Sequence, residues 1–111
     1  MDTVRELRQA IIEVYNSWEK LPSAISRFRI VSAIDEKHDQ YVLQHVDDKE
    51  GCFQSRLLAH LEIRNGKIWI LTDNTEEGIG NELVALGVPK DKIVLAFYPP
   101  AVREMGEFAV A

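Results

Sequence analysis

Apolar residues Val4, Leu7, Ile11, Val14 and Trp18 recur at steps of three or four, which aligns them on one stripe of an α-helix. Thr3 and Glu6 precede this stripe with the spacing of a capping box, in which the two side chains satisfy backbone N–H groups that have no helical partner. Leu21-Pro22 ends the pattern, because proline disfavours helical geometry in the residue before it, and Ser23-Ala24 reads as a connector. From Arg27 the period falls to two. Phe28, Ile30 and Ile34 take one side of a strand, and Arg27, Arg29 and Asp35 take the other. A polar turn over residues 35–39 leads to a second alternating strand over residues 40–46, through Tyr41 and Leu43. Asp47-Asp48-Lys49-Glu50-Gly51 makes the next turn, and a long third strand runs from about Cys52 to Arg64.

Asn65-Gly66 between two apolar alternations is a strong hairpin signal, since both residues tolerate positive φ. A two-residue loop pairs Arg64 with Lys67, Ile63 with Ile68, Glu62 with Trp69, Leu61 with Ile70 and His60 with Leu71. Leu57, Ala59, Leu61, Ile63, Ile68 and Ile70 then share a core face, and Leu58, His60, Glu62, Trp69, Leu71 and Asp73 share a mixed one. Asn74-x-x-Glu77 signals a second helix start, with Ile79, Leu83 and Leu86 as its apolar face and Gly87 to close it. Gly78 and Gly80 weaken this helix, so packing holds it or the glycines allow a neighbour to approach closely. A continuous apolar run from Ile93 to Tyr98 reads as a buried fifth strand, which Pro99-Pro100 stops. The link from strand four contains a helix and is long enough for a crossover that sets strand five parallel to a neighbour. The expected architecture is a single α+β domain over residues 1–111. It has a mostly antiparallel sheet of about five strands, an N-terminal helix and a crossover helix before the last strand.

Composition narrows the class further. The 111 residues are 46% hydrophobic and 28% charged, as in one globular domain. A single cysteine, Cys52, excludes an internal disulfide and a Cys-x-x-Cys metal site. No apolar run nears the roughly 18 residues of a membrane span, and the charged first residues do not suit a signal peptide, so the expected location is cytoplasmic. The net charge of −5 opposes binding to a phosphate backbone, and no direct DNA binding is expected of the chain alone.

Candidate chemistry is sparse. His38, His45 and His60 share no metal-ligand spacing, and His38 among acidic neighbours reads as a solvated turn. His60 shares a strand face with Glu62, where a carboxylate could hold one imidazole tautomer, but no nucleophile or oxyanion donor accompanies the pair. No nucleophile elbow, Walker loop or dinucleotide glycine loop is present, so no catalytic residue, cofactor or metal is assigned. Arg27 and Arg29 could meet phosphate, yet they lack the interleaved aromatics of a single-strand platform. Leu58, Trp69 and Leu71, flanked by His60 and Glu62, form a candidate interaction face. Either the first helix covers it or another chain does, and a two-fold homodimer through this face is the expectation carried forward.

Read end to end, the chain resembles the XisI-like family, the excision controlling factors of cyanobacteria linked to programmed removal of a DNA element. The resemblance rests on His60-Leu61-Glu62-Ile63, Asn65-Gly66-Lys67-Ile68-Trp69-Ile70, residues 87–95, Phe97 with Pro99-Pro100, and Phe108-Ala109-Val110-Ala111. Where Gly-Phe-His-Pro-Pro is expected, this chain has Ala96-Phe97-Tyr98-Pro99-Pro100, and the turn at Asp47-Asp48 lacks a Gly-Trp found in relatives. The resemblance implies an accessory protein working beside a XisH-like companion of restriction-endonuclease-type fold, and it implies no catalytic residues. The alternatives it leaves open are a DNA-contacting excisionase and a small hydrolase or nuclease built on His60, Glu62 and Asp73. Tyr98, Arg103, Phe108 and Val110 complete the candidate interaction residues. They follow or flank a stiff Pro-Pro base, with Arg103 able to pair with a partner carboxylate. The competing reading folds Phe108 and Val110 back as a terminal strap.

Overall fold

A computed structural model describes residues 3–21 and 27–111, so Pro22 and the expected connector Ser23-Ala24 lie outside the described residues. Its elements are α1 (Val4–Glu19), β1 (Phe28–Asp35), β2 (Gln40–Lys49), β3 (Cys52–Arg64), β4 (Lys67–Asp73), α2 (Ile79–Ala85), β5 (Ile93–Leu95) and α3 (Pro100–Arg103), with a short 3-10 turn at Lys90–Lys92. The sheet order is β1-β2-β3-β4-β5, an antiparallel meander with β5 parallel to β4. The α+β architecture expected from the sequence is the one observed. Strand β5 is shorter than the apolar run suggested, because the chain turns away after Leu95.

The capping box opens α1 as read. Thr3 Oγ1 accepts from Glu6 N–H, and Glu6 accepts in return from the Thr3 N–H. Leu7, Ala10, Ile11, Val14 and Tyr15 are buried against Tyr41, Leu43, Ala59, Leu61, Ile68 and Ile70 of the sheet. The Tyr15 hydroxyl donates to the Tyr41 carbonyl at 2.9 Å, and burial pushes its pKa well above the usual phenol range. At the β1–β2 turn Asp39 sits at φ 51°, a conformation that short polar side chains tolerate. Its carboxylate takes Arg8 Nε at 2.7 Å, a second Arg8 nitrogen at 3.1 Å and the Tyr41 hydroxyl at 2.9 Å.

The Asn65-Gly66 turn has both residues at positive φ, and pairing follows the expected register as far as Leu61 with Ile70. There it breaks. His60 opposes Thr72, not Leu71, and Ala59 opposes Asp73. A second break on the other side of β3 pairs Leu43 with Ala59 but Gln44 with Leu57, leaving Leu58 as the extra residue. Opposed residues share a face, so these two bulges reverse three sequence assignments. Asp73 moves to the helix-covered face beside Ala59, Leu58 packs against the core, and Leu57 leaves it to join Gln44 on the outer face.

Asp73 thereby replaces the expected cap. Its carboxylate accepts from Ile79 N–H at 2.7 Å and from Thr75, while Asn74 instead donates to the Leu57 carbonyl. Gly78 holds φ 90° at the entry, a conformation that favours glycine. The exit is a Schellman motif: Val88 N–H reaches the Leu83 carbonyl, Gly87 N–H reaches that of Val84, and Gly87 sits at φ 103°.

Arg8 holds the Asp39 carboxyl below its usual range, so the stability this pair contributes is present above the ordinary carboxylate pKa and lost as pH falls through the lower folded value. Arg8→Ala is therefore expected to lower the melting temperature by a few degrees at neutral pH, with the gap to the parent narrowing as pH falls below the ordinary carboxylate pKa of about 4. A pH-independent gap would contradict this.

Candidate interaction surface

Helices α1 and α2 pack on the face of Tyr41, Leu61 and Ile70, so neither covers the opposite face of the sheet. That outer face carries Gln40, Val42, Gln44, Leu57, His60, Glu62, Trp69 and Thr72, all half-buried. His60 and Glu62 do not touch directly. Gln40 bridges them, its Oε1 2.7 Å from His60 Nε2 and its amide nitrogen 2.9 Å from Glu62. Since the Gln40 amide nitrogen donates to a carboxylate, its oxygen is the acceptor, and His60 Nε2 is the donor in this contact. Glu62 also accepts from Arg64 at 2.8 Å. Asp73, on the other face, is spent on the start of α2, so His60, Glu62 and Asp73 are not gathered into one site. His38 Nδ1 lies 2.7 Å from Asp35, which also accepts the His38 N–H, and Arg27 pairs with Asp47 at 3.2 Å. Among the described residues no cluster of three or more His, Cys, Asp or Glu could hold a metal.

Trp69 meets the C-terminal segment. Its indole N–H donates to the Arg64 carbonyl at 3.1 Å, and the guanidinium groups of Arg64 and Arg103 lie 5.0 and 5.7 Å from its ring. Arg103 is a fork within the chain. It donates to the carbonyls of Tyr98, Val110 and Ala96 at 2.9, 3.1 and 3.3 Å, all within its own chain. Three turns of backbone are tied together by one planar group, which lysine cannot imitate. Beyond α3, Phe108 packs on the core, and Ala109 forms a parallel bridge to Val94 with its N–H on the Ile93 carbonyl at 2.9 Å. Lys90 pairs with Glu107 at 2.5 Å and pulls that carboxyl below its usual range. Phe108 is thus part of a strap, whereas Val110 stays exposed.

The strap leaves apolar side chains outside. Of eight large hydrophobic residues exposed among those described, five lie in this segment: Phe97, Tyr98, Val102, Met105 and Val110, with Met105 79% exposed. The Phe97 and Tyr98 rings contact each other at 4.5 Å between centroids. Leu95, Tyr98, Val102, Met105 and Phe108 line a mainly apolar groove of about 270 Å³. Sequence reasoning missed Phe97, Val102 and Met105. Pro100 at the first helical position was the available signal for α3, since proline favours helix starts as well as strand ends.

This fold, a four-stranded meander closed by a parallel fifth strand and a C-terminal strap, is shared with solved relatives. The chain belongs to the XisI family, whose model, described as XisI protein, matches residues 1–110. It is similar to the fdxN element excision controlling factor XisI from Anabaena variabilis ATCC 29413, at 30% identity over 96% of this chain and 97% of that one, with a TM-score of 0.77. A XisI-like protein from the same organism shares the fold at a TM-score of 0.84 and 22% identity, over 96% of this chain and 98% of that one. No match was found among curated proteins.

If Arg103 holds the segment through three carbonyls, both Arg103→Ala and Arg103→Lys should lower the melting temperature, by roughly 5 °C for alanine. Full recovery with lysine would show that charge alone suffices.

Proposed function

We propose that this protein is a non-enzymatic accessory factor in programmed excision of a DNA element, acting in the cytoplasm by contact with a XisH-like, nuclease-fold companion. The name of its relative, an excision controlling factor, supports the process. One observation supports the mode of action: exposed apolar side chains concentrate on the preorganised C-terminal segment, the signature of a surface kept for another protein. Arg103 and the Val94–Ala109 bridge fix this segment before any partner arrives, so little ordering entropy is lost on binding. The net charge of −5 favours a protein partner over direct contact with DNA. No described helix is long and apolar enough to cross a membrane.

Co-expression with the companion tests this reading. The tagged chain should copurify with it stoichiometrically, and Val102→Glu with Met105→Glu should abolish copurification without a change in melting temperature. Submicromolar binding of the isolated chain to duplex DNA at physiological salt, or metal-dependent nicking lost on His60→Ala, would overturn it.

A further inference from the structure

We infer that two copies of this chain associate through their β1 edges into one continuous ten-stranded sheet, with the two-fold axis at Ser32. The inference is independent of the companion proposed above. Among the described residues, strand β1 pairs on one side only, with β2. Asp48 N–H donates to the Arg27 carbonyl, which fixes the alternation of that ladder: odd-numbered β1 residues turn their backbone groups to β2. Phe28, Ile30, Ser32 and Ile34 therefore turn theirs to the open edge, a template for another strand.

Side chains select the occupant and the register. Arg29 and Asp35 both lie on the outer face and are both exposed, and Ile34 on the helix side is 38% exposed. An antiparallel second β1 centred on Ser32 sets Arg29 of each copy opposite Asp35 of the other. It also sets Ile30 opposite Ile34 and Val31 opposite Ala33. The edge-facing backbone groups of Ile30, Ser32 and Ile34 then have partners, because Ile30 and Ile34 exchange hydrogen bonds, as do the two Ser32 residues. The Arg29–Asp35 pairs fall at the non-hydrogen-bonded positions, where opposed side chains come closest. The strand is thus complementary to itself in charge, apolar surface and hydrogen-bond phase. Each Ser32 hydroxyl donates to its own Glu19, so two carboxylates face each other near the axis on the helix side, a repulsion that the two cross-copy ion pairs offset. Asp35 also carries its bonds from His38, which leave its carboxylate ionised. Such a dimer places the two C-terminal surfaces at opposite ends of the sheet, roughly 40 Å apart at the usual strand spacing.

Sedimentation of the full chain at tens of micromolar tests the pairing. The parent should run as a dimer. Arg29→Asp sets aspartate against aspartate twice, and Asp35→Arg sets arginine against arginine twice. Each variant alone should therefore dissociate at least about tenfold more readily. Mixed in equal amounts, the two variants should recover the dimer, since each like-charged strand then faces its opposite. A parent that is monomeric at these concentrations, a dimer that neither variant weakens, or two weakened variants that fail to associate when mixed would overturn the inference.

Discussion

The two bulges flanking the middle of β3 are the constraint on which the rest of this structure depends. The extra Leu58 toward β2 turns Leu57 away from the helix-covered face, while the shift of His60 to Thr72, with Leu71 as the extra residue of β4, carries Asp73 onto it. There its carboxylate meets the Ile79 N–H and sets where α2 begins. With α2 in place, a side-chain carbon on Gly80 would lie 3.5 Å from Ile70, Leu95 and Phe108, so β4, β5 and the C-terminal strap converge on one helical turn. The surface assigned to partner recognition is thus positioned by a register shift far from it in sequence.

The other half of the molecule is organised by α1. Its buried stripe closes one face of the sheet, and two polar links fix its rotation: Tyr15 to the Tyr41 carbonyl, and Arg8 to Asp39. Trp18 adds a third contact, its indole N–H donating to Glu82 of α2, whose carboxyl is pushed above its usual range by burial. All of this lies on one side. The opposite face is covered by neither α1 nor α2 and carries a chain of polar contacts from His60 through Gln40, Glu62 and Arg64 to the Trp69 ring. These side chains are largely engaged with one another, which favours the C-terminal groove and the β1 edge over the Trp69 face as places where other chains bind.

What the sequence disclosed and what it withheld have separate physical origins. Period, the capping box at Thr3 and the Asn65-Gly66 turn are local, and each produced the element or register expected of it, the turn as far as Leu61, whereas the cap expected at Asn74 was displaced by Asp73. The bulges were not legible, because neither Leu58 nor Leu71 differs in type from an ordinary strand residue, and one extra residue reverses every face assignment beyond it. Asp73 was assigned to the wrong face and Leu58 to the wrong cluster for that reason alone. Arg103 escaped differently. Its partners are backbone carbonyls, which leave no trace in residue identity, so a sequence reading could only offer it a partner's carboxylate. Membership of the XisI family was legible in the motifs of residues 60–111, and the family model matches residues 1–110.

The exposed apolar side chains of this acidic domain concentrate on one segment, the surface proposed above for a protein partner. The most direct measurement is backbone hydrogen exchange on the full chain, alone and with a XisH-like companion. New protection should concentrate in residues 97–110, with the α1 and β3 amides unchanged. Protection confined to the outer sheet face around His60 and Trp69, with residues 97–110 exchanging as in the free chain, would contradict it.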